Sequence, residues 1–559
     1  MAWKSNINPQ FKNAFSETVF NQKYKHEGCE TWSELCKTLV EDVCRDKMVK
    51  SDKDQLIQYM TDLKMIAGGR YLYYAGRRRK FFSNCYLLRS EEDTREDWAE
   101  LSKKTELCLS VGGGIGNDYS IYRGRGNILH GTGGIASGPI PKMAIVNEIG
   151  RNIIQGGSRR SAIYASLNWK HSDINEFLTA KNWHDVKVAG TDKTLADLKT
   201  ADFNYPCPLD MTNISVNYDT QWLLDYWRTG DVGEIFLRNV RQALSTSEPG
   251  FSFNFFGKER ETLKNACTEI TSEDDSDVCN LGSINMGRIT SLQEFIDVIR
   301  LAIMFLMCGT LIAEVPYAKV GEIREKNRRL GLGLMGCHEW LVQRGYRYEV
   351  VPEMHKWLSV YKQVSDATSK TFSQSLSIST PVANRAIAPT GTIGILAATS
   401  TGIEPIFASA YKRRYLKGTS WKYQYVVDSA AKDLIEQYGV DPDKLENALD
   451  LATDYERRIK FQADVQDYVD MAISSTINLP AWGTDKNNED TVKDFANTLA
   501  KYAHRLRGFT CYANGSRGGQ PLTPVRYSEA LDKLGEEFEE AVETNDVCSI
   551  TGRGGFCGV

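Results

Sequence analysis

From about residue 76 to 512 the sequence alternates short apolar runs, glycine-rich turns and longer amphipathic stretches, and this rhythm constrains the fold more than any other feature. Strand-length apolar runs between helices with one apolar face can bury themselves only as strands covered by helices, which is the α/β class. SLQEFIDVIRLAIMFL reads as one helix, opened by Ser291 as a cap with Glu294 three residues on, and EMHKWLSVYKQVSDATSKTF reads as another. Ahead of this region, residues 1–75 predict a small helical part, because apolar residues recur at helical spacing in WSELCKTLVEDVC and DQLIQYMTDLKMIAG. The polar insert 182–208 predicts an irregular loop. After Tyr512, ANGSRGGQPLTPVRY predicts a turn and linker, and the glycine-rich ending CSITGRGGFCGV predicts a flexible tail. The chain therefore divides into 1–75, 76–512 and 513–559.

Composition excludes several function classes. A chain of 559 residues exceeds any small binding module, and a formal net charge of −4 does not suit a nucleic-acid coat or a membrane-surface binder. The basic run Arg77–Lys80 reads as a solvated turn. The start, MAWKSNINPQF, has no apolar core for a secretory signal. The apolar stretch Leu301–Val315 falls short of the roughly 18 apolar residues of a membrane span and reads as a buried helix. The expectation is a cytoplasmic protein with neither a membrane nor a nucleic acid as partner.

Thirteen cysteines then need an explanation. No CxxC spacing is present, which argues against a structural zinc site and leaves no metal site to assign. Cys308 and Cys337, inside apolar runs, are expected to be core. Asn265-Ala266-Cys267-Thr268-Glu269 differs: in an extended or looped segment its amide, thiol and carboxylate fall on one face. Alone, a loop cysteine with polar neighbours is the simpler reading, but Cys279 in VCNLGSIN follows twelve residues later. Cys548 and Cys557 on the glycine-rich end can reach each other and a distant pocket, which thiol–disulfide exchange requires. GGGIGN (112–117) fits neither a dinucleotide nor a P-loop fingerprint. Pro389-Thr390-Gly391-Thr392, before the apolar run IGILAATSTGIEPIF, and Gln155–Arg160 (QGGSRR) both suit phosphate, with a capped turn and a solvated turn as their plainer readings.

Taken in order, NCYLL, GGGIGNDYSIYRGRG, SGPIP, QGGSRRSA, NACTEI, CNLGSIN, NRRLGLGLMG, APTGTIGILAATSTGIEPIFA and GFTCYANGSRGGQPL resemble the catalytic subunit of ribonucleotide reductase over most of residues 76–559. The resemblance is closest to the adenosylcobalamin-dependent class II type. It implies a ten-stranded α/β barrel whose central finger loop carries Cys267 as the thiyl radical that takes the ribose 3′-hydrogen. Glu269 matches the base for the 3′-hydroxyl, and Asn265 the amide holding the ribose hydroxyls. Cys85 and Cys279 match the pair that ends as a disulfide when the 2′-hydroxyl leaves. Cys548 and Cys557 match the tail thiols that restore it and are reset by a thioredoxin- or glutaredoxin-like reductant.

By the same resemblance Pro389, Thr390, Gly391 and Thr392 grip the phosphates of a ribonucleoside di- or triphosphate, with Ser137 and Gly138 near the base or ribose and Asn84 as a further substrate contact. The insert 182–208 corresponds to the loop through which a deoxynucleotide or ATP effector acts, and a homodimer is the family's commoner arrangement. The chain departs from the family pattern at Ala266, where proline is frequent, and shows no obvious ATP cone in its short N-terminal part. GFTCYANG offers Cys511 and Tyr512 where a paired-tyrosine relay would stand. Adenosylcobalamin is thus the expected radical source. The alternative is a separate metal-containing small subunit, with Tyr512 as the candidate relay residue. A glycyl-radical enzyme would need a different C-terminal motif, and a non-catalytic nucleotide-binding regulator would have no use for the Asn-x-Cys-x-Glu triplet.

Overall fold

The computed structural model describes residues 11, 13–131, 133–153, 161–202, 205–417, 420–516 and 522–538. In chain order its strands are β1 (Met65–Ala67), β2 (Cys85–Leu88), β3 (Gly114–Asp118), β4 (Ile163–Asn168), β5 (Thr212–Asp219), β6 (Gly250–Asn254) and β7 (Leu263–Lys264). Then follow β8 (Thr271–Ser272), β9 (Asp277–Asn285), β10 (Leu330–Met335), β11 (Ala410–Lys417), β12 (Ser420–Val427), β13 (Thr476–Leu479) and β14 (Gly508–Ala513).

Strands β2 to β6 form a parallel block in sequence order. A second parallel block contains β9 with β10 and β13 with β14. Residues 383–388 bridge its two halves. Leu332 N donates to Asn384 O (3.0 Å) on one side, and on the other Ile387 N donates to Ala472 O (3.2 Å) and Ser474 N to Ile387 O (2.8 Å). The bridges Leu332–Arg385 and Ile387–Ile473 are parallel. The two blocks meet antiparallel at β2/β9 and at β6/β14. Counting residues 383–388 as a stave, β2, β3, β4, β5, β6, β14, β13, 383–388, β10 and β9 close a ten-stranded α/β barrel, as expected.

Parallel strands buried on both faces are apolar throughout, so successive side chains serve two different cores. Along β2, Tyr86 and Leu88 join an outer layer with the helices, whereas Cys85 and Leu87 join an inner cluster with Leu263, Ile270, Cys279, Leu281 and alanines 383, 386 and 388. Met471 completes this inner cluster, in which the side chains of stave 383–388 are all alanines.

The helix opened by Ser291 spans Leu292–Ile312, and the Ser291 hydroxyl accepts from Glu294 N at 3.2 Å. By length and composition it is apolar enough to cross a membrane (mean hydropathy 2.1), a property the shorter stretch Leu301–Val315 had concealed, yet 67% of that window is buried within the protein's own core. Cys308 and Cys337 lie in this core. In the N-terminal part, Thr31 and Glu34 form a capping box for helix Trp32–Cys44. The helical reading of DQLIQYMTDLKMIAG holds only to Thr61: Leu63 takes a left-handed turn (φ 58°), and Met65–Ala67 becomes β1, antiparallel to β9.

The insert 182–208 is more ordered than its polarity predicts. Its described residues include a short 3-10 turn, Trp183–Asp185, and helix Leu195–Ala201, which Thr194 and Asp197 cap reciprocally. Outside the barrel, hairpin β11–β12 is the centre of a four-stranded sheet whose outer members are Leu522–Pro524 and Glu537–Phe538.

Candidate active site

Strands β7 and β8 are the two sides of a narrow hairpin, and residues 265–270 are its tip. This finger stands inside the barrel. Its backbone runs against β3 so closely that a Cβ on Gly116 would lie 1.5 Å from Lys264 O. Only glycine permits that approach, which gives GGGIGN a packing reason. Asn213 of β5 donates to Ala266 O at 3.1 Å, and Ala472 N donates to Glu269 O at 2.8 Å. Within the tip, Thr268 N closes a turn on Asn265 O (2.9 Å) with Thr268 in the left-handed region, and Ile270 N donates to Asn265 Oδ1 (3.0 Å). The asparagine thus shapes the loop as well as facing it.

The base of the finger is tied down by buried charge. Lys264 Nζ donates to Arg507 O, Arg507 pairs with Glu261 (2.8 Å), and Thr271 Oγ1 donates to Glu261 (3.0 Å). Burial holds the Lys264 amine well below the ordinary lysine value. Lys264 and Gly116 belong to the site's architecture and were missed in the sequence. In the sequence Lys264 stands among polar neighbours (ETLKN), and nothing local marked it.

The structure brings five expected residues together. Cys85 and Cys279 are directly opposed across the antiparallel β2/β9 seam, and both are buried. Opposed antiparallel residues have Cα atoms about 4.5–5.5 Å apart, within the range a disulfide spans. Both are free thiols here, and Asn265 Nδ2 donates to Cys85 Sγ at 3.0 Å. Burial pushes the Cys279 thiol well up, against a smaller pull from Arg329, so it is held protonated. Cys267, at the tip, is 8% exposed, and Glu269 is fully buried. Neither Glu269 carboxylate oxygen has a hydrogen bond of good geometry among the described residues. Burial pushes its pKa up to about 7, while the Asn265 amide and its own backbone N–H offset part of the rise. Such a carboxyl is poised to take a proton near neutral pH.

Two of the remaining candidates, Asn84 and Pro389–Thr392, adjoin the ends of barrel staves. Asn84, next to Cys85, is buried with both amide atoms unpaired among the described residues. Pro389–Thr392 leaves the carboxyl end of stave 383–388. Thr390 takes a left-handed conformation (φ 50°), and its hydroxyl accepts from Gly402 N at 2.9 Å. Gly391 starts a helix that stops at Ala397, shorter than the apolar run predicts, because Ala398 turns left-handed. Thr392 Oγ1 accepts from Lys23 Nζ at 3.3 Å.

Ser137 and Gly138 are not brought into this group. Ser137 is exposed, and a Cβ on Gly138 would lie 2.3 Å from Asp173, beyond the carboxyl end of β4. Because the blocks run in opposite senses, this is toward the other end of the barrel from residues 389–392. On β14, Phe509 and Cys511 face the outer core, and Cys511 Sγ donates to Ala243 O (3.6 Å). Tyr512 is half-buried on the opposite, inward face. Residues 155–160, Cys548 and Cys557 lie outside the described residues.

Comparison with known proteins decides the family. The family described as "Ribonucleotide reductase, barrel domain" matches residues 83–205, 225–373 and 382–513. The chain belongs to this family. Among curated relatives, a vitamin B12-dependent ribonucleoside-diphosphate reductase of Mycobacterium tuberculosis is 26% identical over 558 residues, covering 90% of this chain and 78% of the relative. One of the same name from Thermoplasma acidophilum is 27% identical over 527 residues, covering 83% and 66%. The fold matches the Actinobacillus ureae class Id ribonucleotide reductase alpha subunit with a TM-score of 0.69 at 16% identity, covering 90% of this chain and 97% of that one. In this member of the family the barrel, the finger and the two opposed thiols are all present.

Proposed function

We propose that the chain reduces ribonucleotides to 2′-deoxyribonucleotides for DNA synthesis by a thiyl-radical mechanism with Cys267 as the radical site. The observation that carries this reading is the meeting of Cys267, Glu269 and Asn265 on one finger tip with the opposed thiols Cys85 and Cys279 inside a closed barrel. Water exclusion suits a sulfur radical, which would otherwise be quenched. Cys267 takes the 3′-hydrogen, and Glu269 takes the 3′-hydroxyl proton. Asn265 holds the ribose hydroxyls and orients Cys85. Cys85 and Cys279 give up two electrons and two protons as the 2′-hydroxyl leaves as water, and they end as a disulfide. Cys548 and Cys557 then restore the pair by exchange and are themselves reset by a thioredoxin- or glutaredoxin-like reductant. Asn84 and Pro389–Thr392 serve the ribonucleoside di- or triphosphate. Ser137 and Gly138 as substrate contacts rest on the family resemblance alone.

Adenosylcobalamin is the radical source this reading favours, supported by the names of the relatives. The chain offers a fitting wall. On β13–β14 the outward residues Ile477, Leu479, Phe509 and Cys511 are buried, whereas inward Thr476, Asn478, Thr510 and Tyr512 remain accessible and polar. These four would line the group, which when bound supplies homolytic oxidation of the Cys267 thiol. The outward turn of Cys511 also speaks against a paired relay from a small subunit. The insert 182–208 is the proposed effector loop for a deoxynucleotide or ATP. A soluble, cytoplasmic homodimer is the proposed form.

The test is turnover of the purified chain with a thioredoxin system, with and without adenosylcobalamin. Activity that needs the cobalamin supports the reading. Activity that instead needs a second metal-loaded protein overturns the cofactor assignment, and full activity of Cys267→Ser overturns the mechanism.

A further inference from the structure

One large side chain inside the barrel has no part in the reaction just described. On β4, Ile163, Ala165 and Leu167 join the outer layer. Tyr164, between them, therefore faces inward, and it is fully buried. The strand register sets it between two residues that touch the finger, with Gly116 of β3 on one side and Asn213 of β5 on the other. Gly116 lies against Lys264 O, and Asn213 donates to Ala266 O at 3.1 Å.

The finger runs along β3. It starts at Thr262, whose hydroxyl donates to Asp118, passes Gly116, and reaches Gly114, where a Cβ would lie 3.5 Å from the Ala266 Cβ. The two strands beside β3 flank the finger differently. On one side β2 brings Cys85, which accepts from Asn265 at 3.0 Å. On the other side β4 brings Tyr164. The phenol oxygen lies among the hydroxyls of Ser166, Ser215 and Ser252, on the β4–β6 wall and away from β2. Asn217 Nδ2 holds the Ser166 hydroxyl at 2.9 Å. The ring thus rests on this wall and occupies the space between it and the flank of the finger. Its hydroxyl has no bond of good geometry among the described residues, so the ring is the part that counts.

We propose that Tyr164 is a positioning residue for Cys267: its ring buttresses the finger from the β4 side and holds it toward Cys85. The proposal rests on Cys267 as the reacting group. Protein interiors are close-packed, so deleting the ring leaves a void into which the finger can swing. A shift of about 1 Å at the reacting atom costs on the order of 100-fold in rate. The proposed phosphate loop, 389–392, stands on another stave and is left in place.

The test compares Tyr164→Ala with Tyr164→Phe in the full chain. Alkylation of individual cysteines by iodoacetamide, read by peptide mass spectrometry, reports the finger whether or not Cys267 carries a radical. In Tyr164→Ala, Cys267 is expected to react at least about tenfold faster than in wild type. Cys308 and Cys337 in the core should stay protected. Turnover should show kcat down about 100-fold with KM within about threefold. Tyr164→Phe, which keeps the ring, should restore the labelling rate and bring kcat within about threefold of wild type. If Tyr164→Ala exposes Cys308 and Cys337, its core has opened, and Tyr164→Leu is read in its place by the same criteria. A wild-type labelling rate at Cys267 in the ring-deleted chain overturns the proposal. So does a Tyr164→Phe chain as impaired as the ring-deleted one. Turnover of Cys267→Ser tests the radical assignment separately.

Discussion

Replacing Glu269 by Gln removes one charge from the inside of the barrel and leaves its volume nearly unchanged. The fully buried carboxyl has its pKa raised from 4.5 to about 7. At 1.36 kcal/mol per pKa step, that gap is about 3 kcal/mol in favour of the protonated form. Below pH 4.5 the folded and unfolded chains are both protonated, and the group contributes nothing. Between about 4.5 and 7 only the folded chain keeps the proton, so stability falls as pH rises, and above 7 the whole penalty remains. Glu269→Gln should therefore match wild type at low pH and gain up to about 3 kcal/mol at pH 8. With an unfolding entropy of about 2.1 cal/mol/K per residue, a chain of 559 residues shows this as about 2–3 °C in Tm.

The same substitution should cost about 10²- to 10⁴-fold in kcat/KM, the usual worth of a general base. Wild-type kcat/KM, which reports the free enzyme, should rise with pH through about 7. Melting curves at pH 5 and pH 8, with kcat/KM profiles for both proteins, read these effects. A variant less stable than wild type at pH 8, or a wild-type profile flat between pH 6 and 8, would refute the reasoning.

Three further outcomes are expected. Gly116→Ala puts a methyl 1.5 Å from Lys264 O, so the finger must shift by more than 1 Å. Turnover should fall about 100-fold while circular dichroism still reports a folded barrel, and activity within twofold of wild type would contradict the close approach. Cys548→Ser with Cys557→Ser should stop multiple turnover with thioredoxin yet leave one turnover per chain in rapid-quench assays, whereas equal steady-state rates would remove the tail from the cycle. Tyr512→Phe should keep activity within about threefold if the radical comes from a cobalamin, and its complete loss in the same assay would point to a relay.

Much of the site was legible because it is local. Asn265, Cys267 and Glu269 are spaced so that any tight loop presents them together. Ser291 with Glu294 marked a helix start that the structure bears out at 3.2 Å. What the sequence concealed is set by distant partners. Stave 383–388 is held by backbone bonds to β10 and to 471–474 and reads as loop. Met65–Ala67 continued a helical pattern until the left-handed Leu63 ended it. Thr194 and Asp197 did spell a cap inside the polar insert, but the surrounding polarity masked it. The opposite sense of the two blocks, which parts Gly138 from Pro389, is a property of the closed ring and of no segment within it.

The line along which Cys85 meets Cys279 is, among the described residues, one of two seams where strands of the oppositely running blocks pair. Spending the electrons of this pair would rivet the halves together covalently, and recharging would draw the rivet. The enzyme would thus alternate between a locked and an unlocked shell once per product.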